Sequence, residues 1–265
     1  MLALQDPPGG DCPDVGGVLK VIDHRSRGAR TSPFSEEEVV LSSSASVPAG
    51  LVHPAFVAVP LSTANVELDY AAYMASPAVI RVHSDGRWPV DEFTLEQDRS
   101  QAAAHHAAHQ ARRAFTFLLL DPSQSQSLGC FYLNPLREYV RRAGASAKTL
   151  DAVPRASGMA TFWIRQDLQD TGLTDVVAEA ITGWLAAEWP LARSLIRILP
   201  GERSSRRALE QLRLRQVELQ LTGETRPYLW FQIPKLSEAD LPDGTVRPDR
   251  DARTGGGRLR AHGPQ

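Results

Sequence analysis

Cysteine is nearly absent: the 265 residues carry two, Cys12 and Cys130. They lie far apart, Cys12 within a Pro/Gly-rich stretch, so they build neither a disulfide framework nor a cysteine zinc site. No run approaches the ~18 consecutive apolar residues of a membrane helix. The opening MLALQDPPGGDCPD has no basic start and meets Pro7, Pro8, Gly9 and Gly10 too soon for a secretion signal. These absences lead to the expectation of a cytoplasmic protein with no membrane partner. An excess of one charge is missing too. Lys plus Arg is 29 and Asp plus Glu is 31, a formal charge of −2, which gives no electrostatic case for nucleic acid. A Walker loop, a serine nucleophile elbow and internal repeats are all lacking.

What is present is an ordinary globular composition, 42% hydrophobic and 23% charged, with a length that suits one domain with tails. Residues 1–52 are rich in turn and solubilising signals, apart from a candidate strand at 17–23, and read as a mostly disordered extension. Residues 236–265 read the same way. Between them, a domain at 53–235 alternates strand and helix patterns. PAFVAVPL (54–61) is a strand, and Ser62 or Thr63 caps a helix running to Met74. A loop with Asp85, Gly86, Trp88 and Pro89 leads to a second helix over 92–112. FTFLLLD (115–121) and LGCFYLN (128–134) form a hairpin that Pro135 ends. A looser segment precedes the strand MATFWIR (159–165). In 173–189, Leu173, Val176, Val177, Ala180, Ile181, Trp184 and Leu185 follow one helical face until Pro190. ARSLIRIL (192–199), a short helix RRALEQL, and strands LRQVELQL (214–221) and YLWFQIP (228–234) complete an α/β domain with a mixed sheet. The strand–helix–strand unit at 160–199 is expected to be parallel.

The join between MATFWIR and the long helix places Gly172 just before the first turn, between Thr171 and Thr174. Unpaired N–H groups and the helix dipole favour an anion there, and glycine lets a phosphate approach the main chain. Read locally, the same residues serve as a plain helix start with Asp175 in its first turn.

The order of elements resembles the GNAT N-acyltransferase superfamily. Its coenzyme A pyrophosphate loop, Gln/Arg-x-x-Gly-x-Gly/Ala, is matched by Gln169, Asp170, Thr171, Gly172, Leu173 and Thr174, with Thr174 replacing the small last residue. Downstream, the family's Asn-x-x-Ser is matched at Ser205, whereas Glu202 stands for the Asn. Arg213 and Leu214 replace the family's Gly-Phe, and Leu209 stands where many members carry a tyrosine acid. The resemblance covers about residues 55–234. It implies acetyl-CoA or another acyl-CoA as co-substrate and a small-molecule or peptide amine as acceptor. It also implies that backbone N–H groups near Ile164 receive the pantetheine arm, between two splayed strands. Loss of the tyrosine supports an alternative in which an inactive domain of this fold acts as an acyl-CoA sensor or interaction module.

Several other features have two readings. Base candidates are Glu67, Asp69, Glu138 and Tyr228, each also readable as a solvated or structural group. Trp88, as a loop aromatic, is a candidate acceptor-site residue. His105 and His109 share a helix face with His106 beside them, but a metal needs further ligands, so no metal is expected and a solvated face is favoured. Arg203, Arg206, Arg207, Arg213 and Arg215 crowd one segment. They read first as a solvated face paired with Glu202 and Glu210, then as a contact of Arg203 or Arg206 with a nucleotide phosphate. A nucleic-acid or protein adaptor is the third reading, against which the balanced charge weighs.

Overall fold

The computed structural model describes residues 40–88 and 92–235. The expectations for residues 1–39, including the strand at 17–23, and for 236–265 lie outside the described residues. The packed chain begins upstream of the expected boundary at 53, because Val40 and Leu41 are buried and Leu51–His53 forms a strand, β1.

Strands β2 (Phe56–Pro60), β3 (Phe115–Leu120), β4 (Ser127–Pro135), β5 (Ser157–Ile164), β6 (Arg193–Ile198), β7 (Arg215–Val217) and β8 (Leu229–Ile233) join β1 in one sheet, ordered β1-β2-β3-β4-β5-β6-β8-β7. Every neighbouring pair is antiparallel except β5 and β6, which are parallel and are joined by the long helix α6 (Leu173–Ala187). The near-continuous apolar runs of β3 and β5 follow from burial on both faces of the sheet.

On one face, Phe117, Phe131, Phe162, Ile164, Ile196, Ile198 and Phe231 pack with Val177, Ala178, Ile181, Trp184 and Leu185 of α6 and with Ala208 and Leu209 of α7 (Arg203–Gln211). Trp184 meets Phe117 edge-on at 5.1 Å and Trp189 at 5.3 Å, a favoured aromatic geometry. The opposite face is covered by α1 (Val66–Met74), α2 (Pro77–His83), α3 (Leu95–Gln110) and α4 (Leu136–Arg142). There Cys130 and Trp163 pack with Ala72 and Ile80, while Met159, Leu195 and Trp230 pack with Leu136, Tyr139 and Val140. A further short helix, α5 (Ala147–Asp151), lies between α4 and β5.

Several expectations are corrected. α1 starts at Val66 with Asn65 as N-cap rather than Ser62 or Thr63, because the Asn65 amide accepts from Ser62 N–H (2.9 Å) and donates to the Pro60 carbonyl (3.1 Å), which organises the preceding turn. α2 occupies the stretch before the Trp88 loop, starting at Ser76 with Pro77 at its first position. α4 and α5 fill what reads as a loose segment. The strand expected over 214–221 forms a ladder only at Arg215–Val217, with a single isolated bridge from Leu221 to Ala145. The three histidines are not a solvated face. His105 Nδ1 lies 2.9 Å from Thr116 Oγ1, His109 packs on Phe115 and Phe117, and His106 bonds Gln110.

Candidate functional site

Strands β5 and β6 part company halfway along. Their register runs from Ser157↔Arg193 to Ala160↔Ile196 and stops, although β5 continues to Ile164 and β6 to Ile198. On its other side β5 stays paired with β4 through Gly129↔Ile164. Arg165 N–H donates to the Leu128 carbonyl (2.8 Å), which sets the alternation. Trp163 and Thr161 therefore bond β4, while the N–H groups of Phe162 and Ile164 point towards the side that β6 has left. A peptide edge inside a sheet is thereby open to an extended ligand carrying its own amide groups.

The chain leaves β5 through a 3₁₀ turn (Gln166–Leu168) and enters α6 at Gly172. Gly172 has φ +84°, the left-handed region that glycine adopts at no steric cost, and a Cβ built there meets nothing within 4 Å. The space beside the glycine is open. No side chain caps α6. Val176 N–H and Asp175 N–H bond the Gly172 carbonyl, and Leu173 N–H reaches Thr171 Oγ1 at 3.4 Å. Gly172 and Thr174 N–H have no partner among the described residues. Thr174 is fully buried, so the start of this 15-residue helix presents the free Gly172 N–H together with the positive end of its dipole.

The loop residues take distinct places. Gln169 Nε2 donates to the Ile164 carbonyl at 2.6 Å, linking the loop to the open end of β5. Thr171 Oγ1 donates to the Leu168 carbonyl, and Asp170 is exposed. The Thr174 side chain is fully buried with its hydroxyl unpartnered, so its branched Cβ does not fill the open space at Gly172. Ser205 is buried in the first turn of α7, whose Arg207 reaches Asp175 of α6 at 3.3 Å. Arg206 pairs with Glu210, whereas Arg203 is exposed and has no partner among the described residues. Arg213 follows α7 with φ +52°, adopting the conformation that the expected glycine would supply.

Across the sheet, α2 spans the gap. At its start, Gln166 Oε1 accepts from Ala78 N–H (3.1 Å) and Gln166 N–H donates to Ser76 Oγ (3.1 Å). At its end, His83 Nδ1 lies 2.8 Å from Glu202 Oε2, while Glu202 Oε1 accepts from Leu199 N–H (2.7 Å). Glu202 is thus a strut between the end of β6 and the end of α2, which gives a structural reason for a carboxylate at that position. Trp88 follows in the α2–α3 connection, edge-on to Tyr73 (6.4 Å) and Phe93 (5.3 Å), with its indole N–H unpartnered.

The base candidates separate clearly. Glu67 is exposed and lies 3.5 Å from Arg99, and Glu138 is buried but held by Arg141 and Arg142 at 2.6 and 3.2 Å. Tyr228 is pushed up by burial. Asp69, 8% exposed, has no cation paired with it among the described residues. Burial, and then the nearby Asp98, push its carboxyl up to about 8. Burial, and then Asp69, push up the Cys130 thiol, which pairs across the sheet with Trp163 in the part of β5 that β6 has left. A carboxyl on α1 therefore sits behind the opened strand. Asp98, the His83–Glu202 strut and Arg197 were missed by sequence reading, although a charge inside the apolar run LIRIL was a legible signal for Arg197.

No protein-family model matches this chain, and no curated protein matches it in sequence. Solved structures do match. The ribosomal-protein-S5-alanine acetyltransferase from Vibrio fischeri aligns with TM-score 0.52 and 12% identity over 70% of this chain and 96% of its own. RimL, a ribosomal L7/L12 alpha-N-protein acetyltransferase in complex with coenzyme A, aligns with TM-score 0.50 and 13% identity over 69% and 95%. The microcin C7 self-immunity acetyltransferase MccE, in complex with acetyl-CoA and AMP, aligns with TM-score 0.50 and 12% identity over 70% and 96%. The chain therefore has the GNAT acetyltransferase fold. Among the described residues, no helix is long and apolar enough to cross a membrane.

Proposed function

We propose that the protein is an acyl-CoA-dependent N-acyltransferase, with acetyl-CoA as the donor to test first and an amine as acceptor. One observation carries this reading: the opened edge of β5 and the uncapped start of α6 at Gly172 lie at the two ends of one short loop. A pyrophosphate fits the open space and free N–H at Gly172, and a pantetheine amide fits the Phe162 and Ile164 edge. RimL and MccE were solved with coenzyme A and acetyl-CoA, in the same fold.

In this mechanism the amine nitrogen bonds to the thioester carbonyl carbon and the C–S bond breaks, releasing the coenzyme A thiolate. N–H groups of the β5 edge stabilise the oxyanion that forms on the way; fixed donors of this kind need little reorganisation. Asp69 takes the amine proton. A base is most effective with a pKa near the working pH, and burial has brought this carboxyl there. Leu209 is buried in the core and cannot donate a proton. Water suffices for the departing thiolate, whose pKa is about 8.5 by analogy with cysteine.

The fully apolar Leu209 is also the observation that favours the second reading, an acyl-CoA-binding module without catalysis. Release of free thiol from acetyl-CoA, followed with a panel of primary amines from pH 6 to 9, separates the two. Turnover rising with pH to about 8 in the wild type, with that limb lost in Asp69→Asn, is the expected result. Tight binding of acetyl-CoA with no amine-dependent thiol release would establish the binding module instead.

A further inference from the structure

Arg197 is a charge in the wrong place for a purely structural strand. It lies on β6 immediately after Ile196, the last residue paired with β5, and is 6% exposed. No carboxylate pairs with it among the described residues, and its Nε has no hydrogen-bond partner. Aromatic rings surround it: the guanidinium carbon is 4.2 Å from the Tyr228 ring centre, 4.8 Å from Tyr139 and 6.0 Å from Trp230. A second guanidinium, Arg226, lies 5.0 Å from the same Tyr228 ring. Two of its nitrogens bond Glu224 at 2.6 and 2.7 Å, while Nη1 is buried and unpartnered. The Tyr139 hydroxyl also donates to Glu224. Two guanidiniums against one carboxylate leave 2 − 1 = +1, with donors unspent on each arginine. A cavity of about 380 Å³ is lined by Glu224, Arg226, Tyr228 and Trp230 among others; Arg197 is not in its wall but lies against the Tyr228 and Trp230 rings that are.

A buried cation without a counter-charge is costly, and such a group ordinarily pairs or is replaced. Rings offset part of that cost by cation–π attraction and hold the guanidinium plane rigid. A preorganised planar fork matches a carboxylate or phosphate. The cavity is of the size that accepts a small ligand, conventionally ~300–1,000 Å³.

We propose that Arg197, with Arg226, forms an anion subsite, and that the acceptor is an amine bearing a carboxylate or a phosphate that docks there. The second half rests on the acyltransferase reading; the first does not. Arg197 stands where β5 and β6 separate, so an amine anchored by its anionic group reaches the gap from the side opposite α6.

The test uses the full chain and two probes, sodium acetate and sodium phosphate, titrated at constant ionic strength while tryptophan fluorescence is followed. Saturable binding of one probe is expected, and the tighter one identifies the anion's chemistry. Arg197→Met should weaken it about tenfold or more, with Arg197→Lys between, since lysine keeps the charge and loses the fork. Removing a buried unpaired charge should leave the Met variant melting at or above the wild-type temperature. With acetyl-CoA present, glycine or O-phosphoethanolamine should then exceed ethanolamine in kcat/KM, and Arg197→Met should erase that preference. Probes that bind Arg197→Met as tightly as wild type, or that never saturate, would overturn the subsite. Intact anion binding without acyl transfer would keep the subsite and overturn the acceptor assignment together with the acyltransferase reading.

Discussion

Replacing Asp69 by Asn should change how stability depends on pH, in a direction the structure fixes. Asp69 is pushed up to about 8 by burial and by Asp98, and Asp98 is pushed up to about 6 by its own burial. In the unfolded chain both titrate near 3.9. The folded protein therefore holds more protons than the unfolded one across these windows, and stability falls as pH rises. Each such proton contributes a slope of about 1.4 kcal/mol per pH unit. His105 acts oppositely, because burial lowers it to about 4 and the folded ring stays neutral where the unfolded one is charged. Below about pH 6.5 its slope cancels one of the two carboxyl slopes. From pH 6 to 8 Asp69 dominates, and the wild type should lose about 2 kcal/mol there, since the carboxyl is half ionised by pH 8 and the histidine slope still opposes it near pH 6. Urea unfolding at pH 5, 6, 7 and 8 measures this, and subtracting the Asp69→Asn profile cancels the histidines. The variant should be nearly level from pH 6 to 8 and more stable than wild type at pH 8. Parallel profiles for the two proteins would refute a protonated, buried Asp69 and remove the candidate base with it.

Two further outcomes follow from backbone geometry, and one from the core. Arg213→Gly should stabilise by about 0.5–1 kcal/mol in thermal melting, because φ +52° costs an L-residue ~1–2 kcal/mol and glycine's extra unfolded entropy returns only part of that. A lower melting temperature would contradict this. Gly129→Ala should destabilise by about 3 kcal/mol or more, since a Cβ at φ +151° would stand 2.0 Å from the Trp163 carbonyl oxygen, a backbone atom that cannot swing aside. Trp184→Ala, emptying the contact between α6 and the Phe117, Phe131 and Trp189 rings, should cost about 3–5 kcal/mol in urea unfolding.

The parts of the fold legible in the sequence are those with a long period or a continuous apolar run. α6 declares itself by thirteen residues of unbroken spacing, Leu173 to Leu185, and β3 and β4 by branched and aromatic runs around a polar turn. α2 and α5, of 7 and 5 residues, are too short for a period to emerge, and only Ser76–Pro77 marked the first. Within the site, Gly172 was legible because its demand is local: a left-handed residue before a helix. The opening of β5 from β6 was available only through family resemblance, because local sequence does not say where pairing stops. Asp69 and Asp98 come from helices that meet only in the folded chain, and the shift of each carboxyl is a property of that meeting. Arg213 shows the reverse, a missing motif glycine whose backbone conformation survives.

The most direct measurement is acetyl-CoA binding to the full chain by calorimetry, beside Gly172→Ala and Gly172→Glu. Both variants carry the same strain at φ +84° and have open space for the new side chain, so they differ in charge at the start of α6. The account predicts binding near ~1–100 μM for wild type, retained though weakened in Gly172→Ala, and lost in Gly172→Glu. Melting at one hundred times Kd should register about 2.7 kcal/mol of added stability for wild type alone or with the Ala variant. A folded wild type that does not bind acetyl-CoA, or a Gly172→Glu variant that binds it equally well, would contradict an acyl-CoA site at the α6 N-terminus.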